Sequence, residues 1–163
     1  MDEVSFLKYD LAFAPPLMNG AGSLGFAPGA HSPVHWGSLG AFITNPVSLE
    51  PRSPAHGRRC IPYPGGFLLH TGYPNPGLRQ VIRRYAGRWA QGDLPVIVHL
   101  LAGSLDEIRQ MVRLLEGLEG VAGIELGLPV ELDAEAVRAQ VQAAAGELPL
   151  VARLSFEQAV SLG

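Results

Sequence analysis

Five short apolar runs mark the chain, at 11–22, 40–47, 95–103, 120–128 and 148–154, and helix-patterned stretches separate the later ones. The runs are nearly continuous rather than alternating, as in PVIVHLLAG (95–103) and GVAGIELGL (120–128). Short continuous runs rich in Val, Ile and Leu suit parallel strands covered on both faces. Between them, apolar residues recur three and four apart. Leu78, Val81, Ile82, Tyr85 and Trp89 make one helical face, with Arg79, Arg83, Arg84 and Arg88 on the other. Asn75 before Pro76 predicts an N-cap with proline at the first helical position. The segment SLDE (104–107) is a capping box that predicts a helix turning Ile108, Val112 and Leu115 inward. Asp133 predicts the cap of a third helix carrying Val137 and Val141, with Gly146 at its end, and a further helix begins near Ser155.

Strand and helix alternating with short connections predict βαβ units and a parallel sheet, hence the α/β class. No GxGxxG turn that opens a helix follows the first run: GAGSLG (20–25) has the spacing but runs on into Pro28 and Pro33, which counts against a doubly wound nucleotide-binding sheet. A (β/α) barrel fits better. Such barrels close with eight strands and about 250 residues, so the expectation is a partial (β/α)8 TIM barrel, roughly the first five β/α units, with residues 1–163 as a single domain.

Composition narrows the partners. The chain has 163 residues, of which 47% are apolar and 17% charged, and carries a net charge of −3. Its pI near 5.9 gives no support for nucleic-acid or anionic-membrane binding. The single cysteine, Cys60, excludes an internal disulfide. No apolar stretch reaches bilayer length, and the start MDEVSFLKYDLAF lacks the regions of a signal peptide, so a cytoplasmic address is expected.

The second run delivers its C-terminal end into a stretch of Gly, Pro and polar residues at 48–77, where an α/β protein gathers ligand-binding groups. Of the histidines, His31 and His35 have i,i+4 spacing, but Pro33 interrupts them and no third ligand accompanies them, so no metal is expected. His70 lies in the loop that follows the second run. His99 falls inside the third, as a core or lumen residue or as a ligand contact.

Several of these segments together resemble the dihydroorotate dehydrogenase family. MNGAGSLGF (18–26) is similar to its first-strand segment, ITNPVSLEPR (43–52) to its second, and PGGFLLHTGYPNPG (64–77) to its substrate loop. LPVIVHLLAG (94–103), VAGIELGLP (121–129) and LPLVARL (148–154) match later strands. EPR at 50–52 followed by PGG at 64–66 and PNPG at 74–77 is the specific part. The resemblance implies a soluble, FMN-dependent TIM barrel that oxidises dihydroorotate to orotate in pyrimidine biosynthesis. It implies flavin contacts from Ala21, Gly22, Ser23, Asn45, His99, Gly127 and Arg153, and substrate contacts from Leu69, His70, Thr71, Gly72 and Tyr73.

The departures are as informative. Where the soluble class carries its catalytic Cys, this chain reads Gly127, Leu128, Pro129, Val130, Glu131, so no catalytic residue is assigned. Glu131 is read as an exposed charge in preference to a base. The family's second-strand Lys is Asn45 and its fifth-strand Lys is Arg153, which keeps the charge but changes the geometry. The substrate-loop Asn appears as Leu69, followed by His70, and the third-strand polar position falls on His99 or Leu100. The family's phosphate site, on loops after strands seven and eight, lies beyond the five strands read here. Three readings follow: a degenerate flavin-dependent oxidoreductase on a small-molecule substrate, a non-catalytic relative that binds a ligand or partner, or a barrel fragment inactive alone. A second copy or a second chain would complete the barrel.

Overall fold

The computed structural model describes residues 11–29, 32 and 34–162; the start at 1–10, His31 and Pro33 therefore lie outside the described residues. In chain order the elements are β1 (Phe42–Ile43), β2 (Cys60–Tyr63), β3 (Gly66–Leu69), α1 (Leu78–Gln91), β4 (Val96–Leu101), α2 (Leu105–Leu115), β5 (Val121–Gly127), α3 (Ala134–Ala144), β6 (Leu150–Arg153) and α4 (Phe156–Leu162). A 3-10 turn, Trp36–Ser38, precedes β1.

β1, β4, β5 and β6 form a parallel sheet in that order. The order never reverses. A doubly wound sheet reverses it and sends helices to both faces, whereas here α1, α2 and α3 pack into one core against a single face. That core joins Leu78, Val81 and Trp89 of α1, Ile108, Met111 and Leu115 of α2 and Val137 of α3 to Phe42, Val98, Leu100, Ile124 and Leu126. The strand residues in this core alternate with those on the opposite face, as the two-residue strand period requires. On that opposite face Ala41, Ile43 and Ile97 are covered by Phe13 and Ala21. Toward the strand C-termini the cover ends and the face opens, so the burial expected on both faces holds only at the lower end.

The capped helices form as read. Ser104 Oγ accepts from Glu107 N at 3.2 Å while Glu107 Oε2 accepts from Ser104 N at 2.9 Å, and Asp133 Oδ1 accepts from Ala136 N at 2.8 Å.

Three expectations change. The first run, 11–22, makes only an isolated parallel bridge, Met18 to Ala41. Asn19 explains why: its carboxamide accepts from Ile43 N at 2.8 Å and donates to Ile43 O at 2.7 Å, so a side chain occupies the β1 backbone groups that a ladder would use. Residues 60–69, read as loop, form the antiparallel hairpin β2–β3, with Tyr63 opposite Gly66 around Pro64–Gly65. Proline followed by glycine at φ 90° is the pair a type II turn demands.

Finally, Asn75 does not cap α1. Gly77, at φ 82°, intervenes as the residue before the helix. Asn75 is instead a buried latch. Its Oδ1 accepts from Gly77 N at 3.0 Å, and its Nδ2 donates to Ser48 Oγ and to Tyr73 O, each at 3.0 Å. It thereby ties the segment after β1 to the start of α1. Asn75→Ala is expected to lower unfolding free energy by about 2–3 kcal/mol, because Gly77 N–H loses its acceptor inside the fold. Urea denaturation checks this, and a loss below about 0.5 kcal/mol, the size of an ordinary surface substitution, would contradict the latch.

No helix among the described residues is long and apolar enough to cross a membrane.

Candidate functional site

The open face of the sheet ends in a cavity of about 510 Å³ at the C-termini of β4, β5 and β6. Each strand contributes inward positions there: His99 and Leu101 from β4, Gly127 from β5, Arg153 from β6; Ala102, the loop 128–131, residues 154–155, Arg52 and Tyr73 form the rest of the wall. Loops and strand ends meeting at this edge are where parallel α/β proteins place their chemistry, since the core below stays undisturbed.

Strand register brings together two polar groups that sequence separates by 26 positions. His99 of β4 stands directly opposite Glu125 of β5. His99 Nδ1 lies 2.5 Å from Glu125 Oε1, with the side chains only 2% and 12% exposed. The contact engages Nδ1 with the carboxylate and leaves Nε2 as the ring nitrogen outside it. The main chain is held as firmly: Thr44 Oγ1, fully buried, accepts from His99 N at 3.0 Å. The other edge of the ring rests on Gly127, where a Cβ would come within 2.6 Å of Nε2. The register also settles which third-strand residue faces the site. His99 does, while Leu100 is fully buried in the helix-side core.

Two arginines give the cavity its sign. Arg153 stands opposite Gly127 in the β5–β6 register, one inward step beyond Val151, the partner of Glu125. Arg52 bridges to Asn75 through its backbone, and its Nε donates to Gly72 O at 3.4 Å. Neither arginine has a carboxylate within 4.0 Å among the described residues. Glu131 lies on the cavity wall as an exposed charge. Tyr73 holds a left-handed backbone, φ 51°, unusual for an aromatic residue. Its N–H donates to Thr71 Oγ1 at 3.1 Å, which fixes the turn.

The residues named from sequence divide into two groups. His99, Gly127, Arg153 and Tyr73 meet at the cavity. Ala21, Gly22, Ser23 and Asn45 do not line it. Ala21 packs on the Ile43–Ile97 patch, Ser23 Oγ donates to Gly20 O at 2.6 Å, and Asn45 Oδ1 accepts from Gly25 N at 3.0 Å. Leu69 ends the hairpin at 62% exposure, His70 donates its N–H to Arg59 O at 2.8 Å, and Gly72 packs tightly against Ala55. None of these three, nor the Thr71 side chain, reaches the cavity wall. The residues that sequence reading passed over are Glu125, Arg52 and Thr44. Glu125 left a signal, as the only charge within the run 120–128. Among the described residues no three His, Cys, Asp or Glu side chains cluster as a metal site would need.

Comparison with known proteins addresses the lineage. A family model described as dihydroorotate dehydrogenase matches residues 4–144. The catalytic subunit of dihydroorotate dehydrogenase B (NAD(+)) from Desulforudis audaxviator is 29% identical over 118 residues, which is 72% of this chain and 38% of that protein. The same subunit from Geobacter sp. strain M21 is 32% identical over 69% of this chain and 37% of its own length. A chain of Aeropyrum pernix whose name places it with dihydroorotate dehydrogenase A (fumarate) is 30% identical over 94% of this chain and 54% of its own length. The chain thus spans between about two fifths and about half of the length of these relatives. With the match running through every strand from β1 to β5, the chain belongs to the dihydroorotate dehydrogenase family.

Proposed function

We propose that this chain forms an arc of a (β/α) barrel in a flavin-dependent oxidoreductase acting on a small anionic substrate. Oxidation of dihydroorotate to orotate, within pyrimidine biosynthesis, is the reaction the family suggests. The observation that carries the reading is the cationic cavity at the ends of consecutive parallel strands, with Arg153 at its wall. One-sided helices and an unreversed strand order support the barrel, with residues 1–163 as part of one such domain.

The residues present fit the edge of a flavin ring. A flat ring needs walls without bulky side chains, and Gly127 and Ala102 supply them. Reduction places negative charge on the ring's N1–C2=O edge, and the Arg153 guanidinium, free of a carboxylate partner among the described residues, suits that edge. Asn45 keeps its amide NH2 as a donor, since its oxygen is engaged by Gly25. FMN, when bound, supplies the two-electron acceptor. Ala21, Gly22 and Ser23 remain the proposed small-residue turn against the ring, and the 69–73 segment the proposed substrate loop, with Tyr73 its member at the cavity. A second copy or a second chain is the proposed source of the remaining barrel.

The test is the visible spectrum of the purified protein before and after FMN addition and removal of the excess. A retained flavin band with shifted fine structure is expected, and Arg153→Ala should weaken FMN retention about tenfold, the worth of one charge-assisted contact. A protein that stays colourless would overturn the flavin reading and favour the non-catalytic relative.

A further inference from the structure

We propose that His99 and Glu125 are an acid–base pair: His99 Nε2 exchanges a proton with a carbon acid bound in the cavity, and Glu125 positions the imidazole for it. The proposal rests on the cavity being a substrate site.

Three observations carry it. The pair sits opposite across β4 and β5, with Nδ1 2.5 Å from Oε1, so the imidazole is held in rotation with Nδ1 engaged. The nitrogen outside the carboxylate contact is Nε2, and His99 is part of the cavity wall although only 2% of its residue surface is exposed. Gly127 leaves clearance for the ring, since a Cβ there would come within 2.6 Å of Nε2.

A cation of the same cavity wall stands near the pair. Arg153 lies one strand beyond Glu125 and one inward step higher, within about 10–12 Å of His99 from strand spacing and rise. An anionic substrate drawn toward the arginine is thereby brought to the same end of the sheet as the imidazole. The step is a proton transfer alone. The C–H bond beside a carbonyl breaks, its electron pair stays on carbon as the enolate, and the proton moves to Nε2, where Glu125 stabilises the imidazolium. Reversal returns a proton from solvent. With no oxidant present, the net result is hydrogen exchange at that carbon.

L-dihydroorotate in D2O is the probe, with the flavin-free chain and proton NMR of the carbon next to its ring carbonyl. Deuterium incorporation above the buffer rate is expected. His99→Gln should reduce it about a hundredfold, at the lower end of what a positioned base contributes, and Glu125→Gln at least about tenfold, because a neutral amide does not stabilise the imidazolium. Imidazole 15N spectra provide a readout that a merely structural pair would not move. The wild type should show Nδ1 protonated and Nε2 bare, with only Nε2 shifting on probe addition. Circular dichroism identifies a variant that fails to fold, and then the 15N response of the wild type decides. Wild-type exchange in folded His99→Gln, or a probe that neither exchanges nor shifts Nε2, overturns the pair. FMN retention with turnover unaffected by His99→Gln removes the pair and leaves the flavin reading. Exchange through His99 in a protein that retains no FMN does the reverse.

Discussion

Trp89→Ala is expected to lower the unfolding free energy by about 3–5 kcal/mol, the range for deleting a large buried aromatic. Trp89 is 1% exposed and sits in the last turn of α1, where its ring enters the core shared by α1, α2 and the sheet. Its Nε1 donates to Phe26 O at 2.8 Å, so truncation also strands that carbonyl. The same residue anchors the helix to the sheet by its backbone: a Cβ at Gly120, φ 81°, would come within 2.1 Å of Trp89 O. The start of β5 and the end of α1 are therefore in direct main-chain contact, and the cavity left by the ring has little freedom to collapse. Trp89→Phe keeps most of the ring but loses the hydrogen bond, and should cost about 1–2 kcal/mol. Urea denaturation of the two variants separates these effects. At about 2–4 °C per kcal/mol for a domain of this size, the alanine variant should melt about 10 °C lower. A loss under about 1 kcal/mol would mean that the ring is not packed as described.

What sequence revealed of this fold was the part encoded locally. β4, β5 and β6 follow from apolar runs, and the capping groups of α2 and α3 lie three residues from their targets. What it did not reveal depends on partners distant in the chain. Asn75–Pro76 reads as a cap, yet the Asn75 side chain is drawn away by Ser48, 27 residues earlier. The hairpin β2–β3 has no alternation to announce it, since Ile61, Tyr63, Phe67, Leu68 and Leu69 are all apolar and all exposed. Only Pro64–Gly65 marked the turn. The candidate site shows the same division. Arg153 and Gly127 were legible as strand-end residues, and His99 as a polar residue in an apolar run. Its meaning required the register, because the choice between His99 and Leu100 is a choice of sheet face, and only pairing with β5 brings Glu125 opposite.

Gly127→Ala is the sharpest single test of that geometry, and it is expected to break the His99–Glu125 contact. Gly127 needs no left-handed backbone, so alanine is tolerated by the main chain. The conflict is steric: the new Cβ would stand 2.6 Å from His99 Nε2 and 2.8 Å from Cε1. The imidazole has little room to yield, being held by Glu125 on its other nitrogen and by Thr44 through its backbone. Either the ring rotates off its carboxylate, or β4 and β5 separate at their C-terminal ends. Overpacking of this kind costs about 1–3 kcal/mol. The cost should belong to the pair of residues rather than to the glycine, so a double-mutant cycle with His99→Ala measures it directly. In the His99→Ala background the Cβ meets empty space and Gly127→Ala should be nearly neutral, giving a coupling of about 1–3 kcal/mol, large for a pair in contact. The imidazole 15N signal should report the same event without a stability measurement, through loss of the protonated Nδ1 state in Gly127→Ala. Additive costs, with that signal unchanged, would mean that His99 does not lie over Gly127, and the placement of Nε2 at the cavity wall would lose its structural basis.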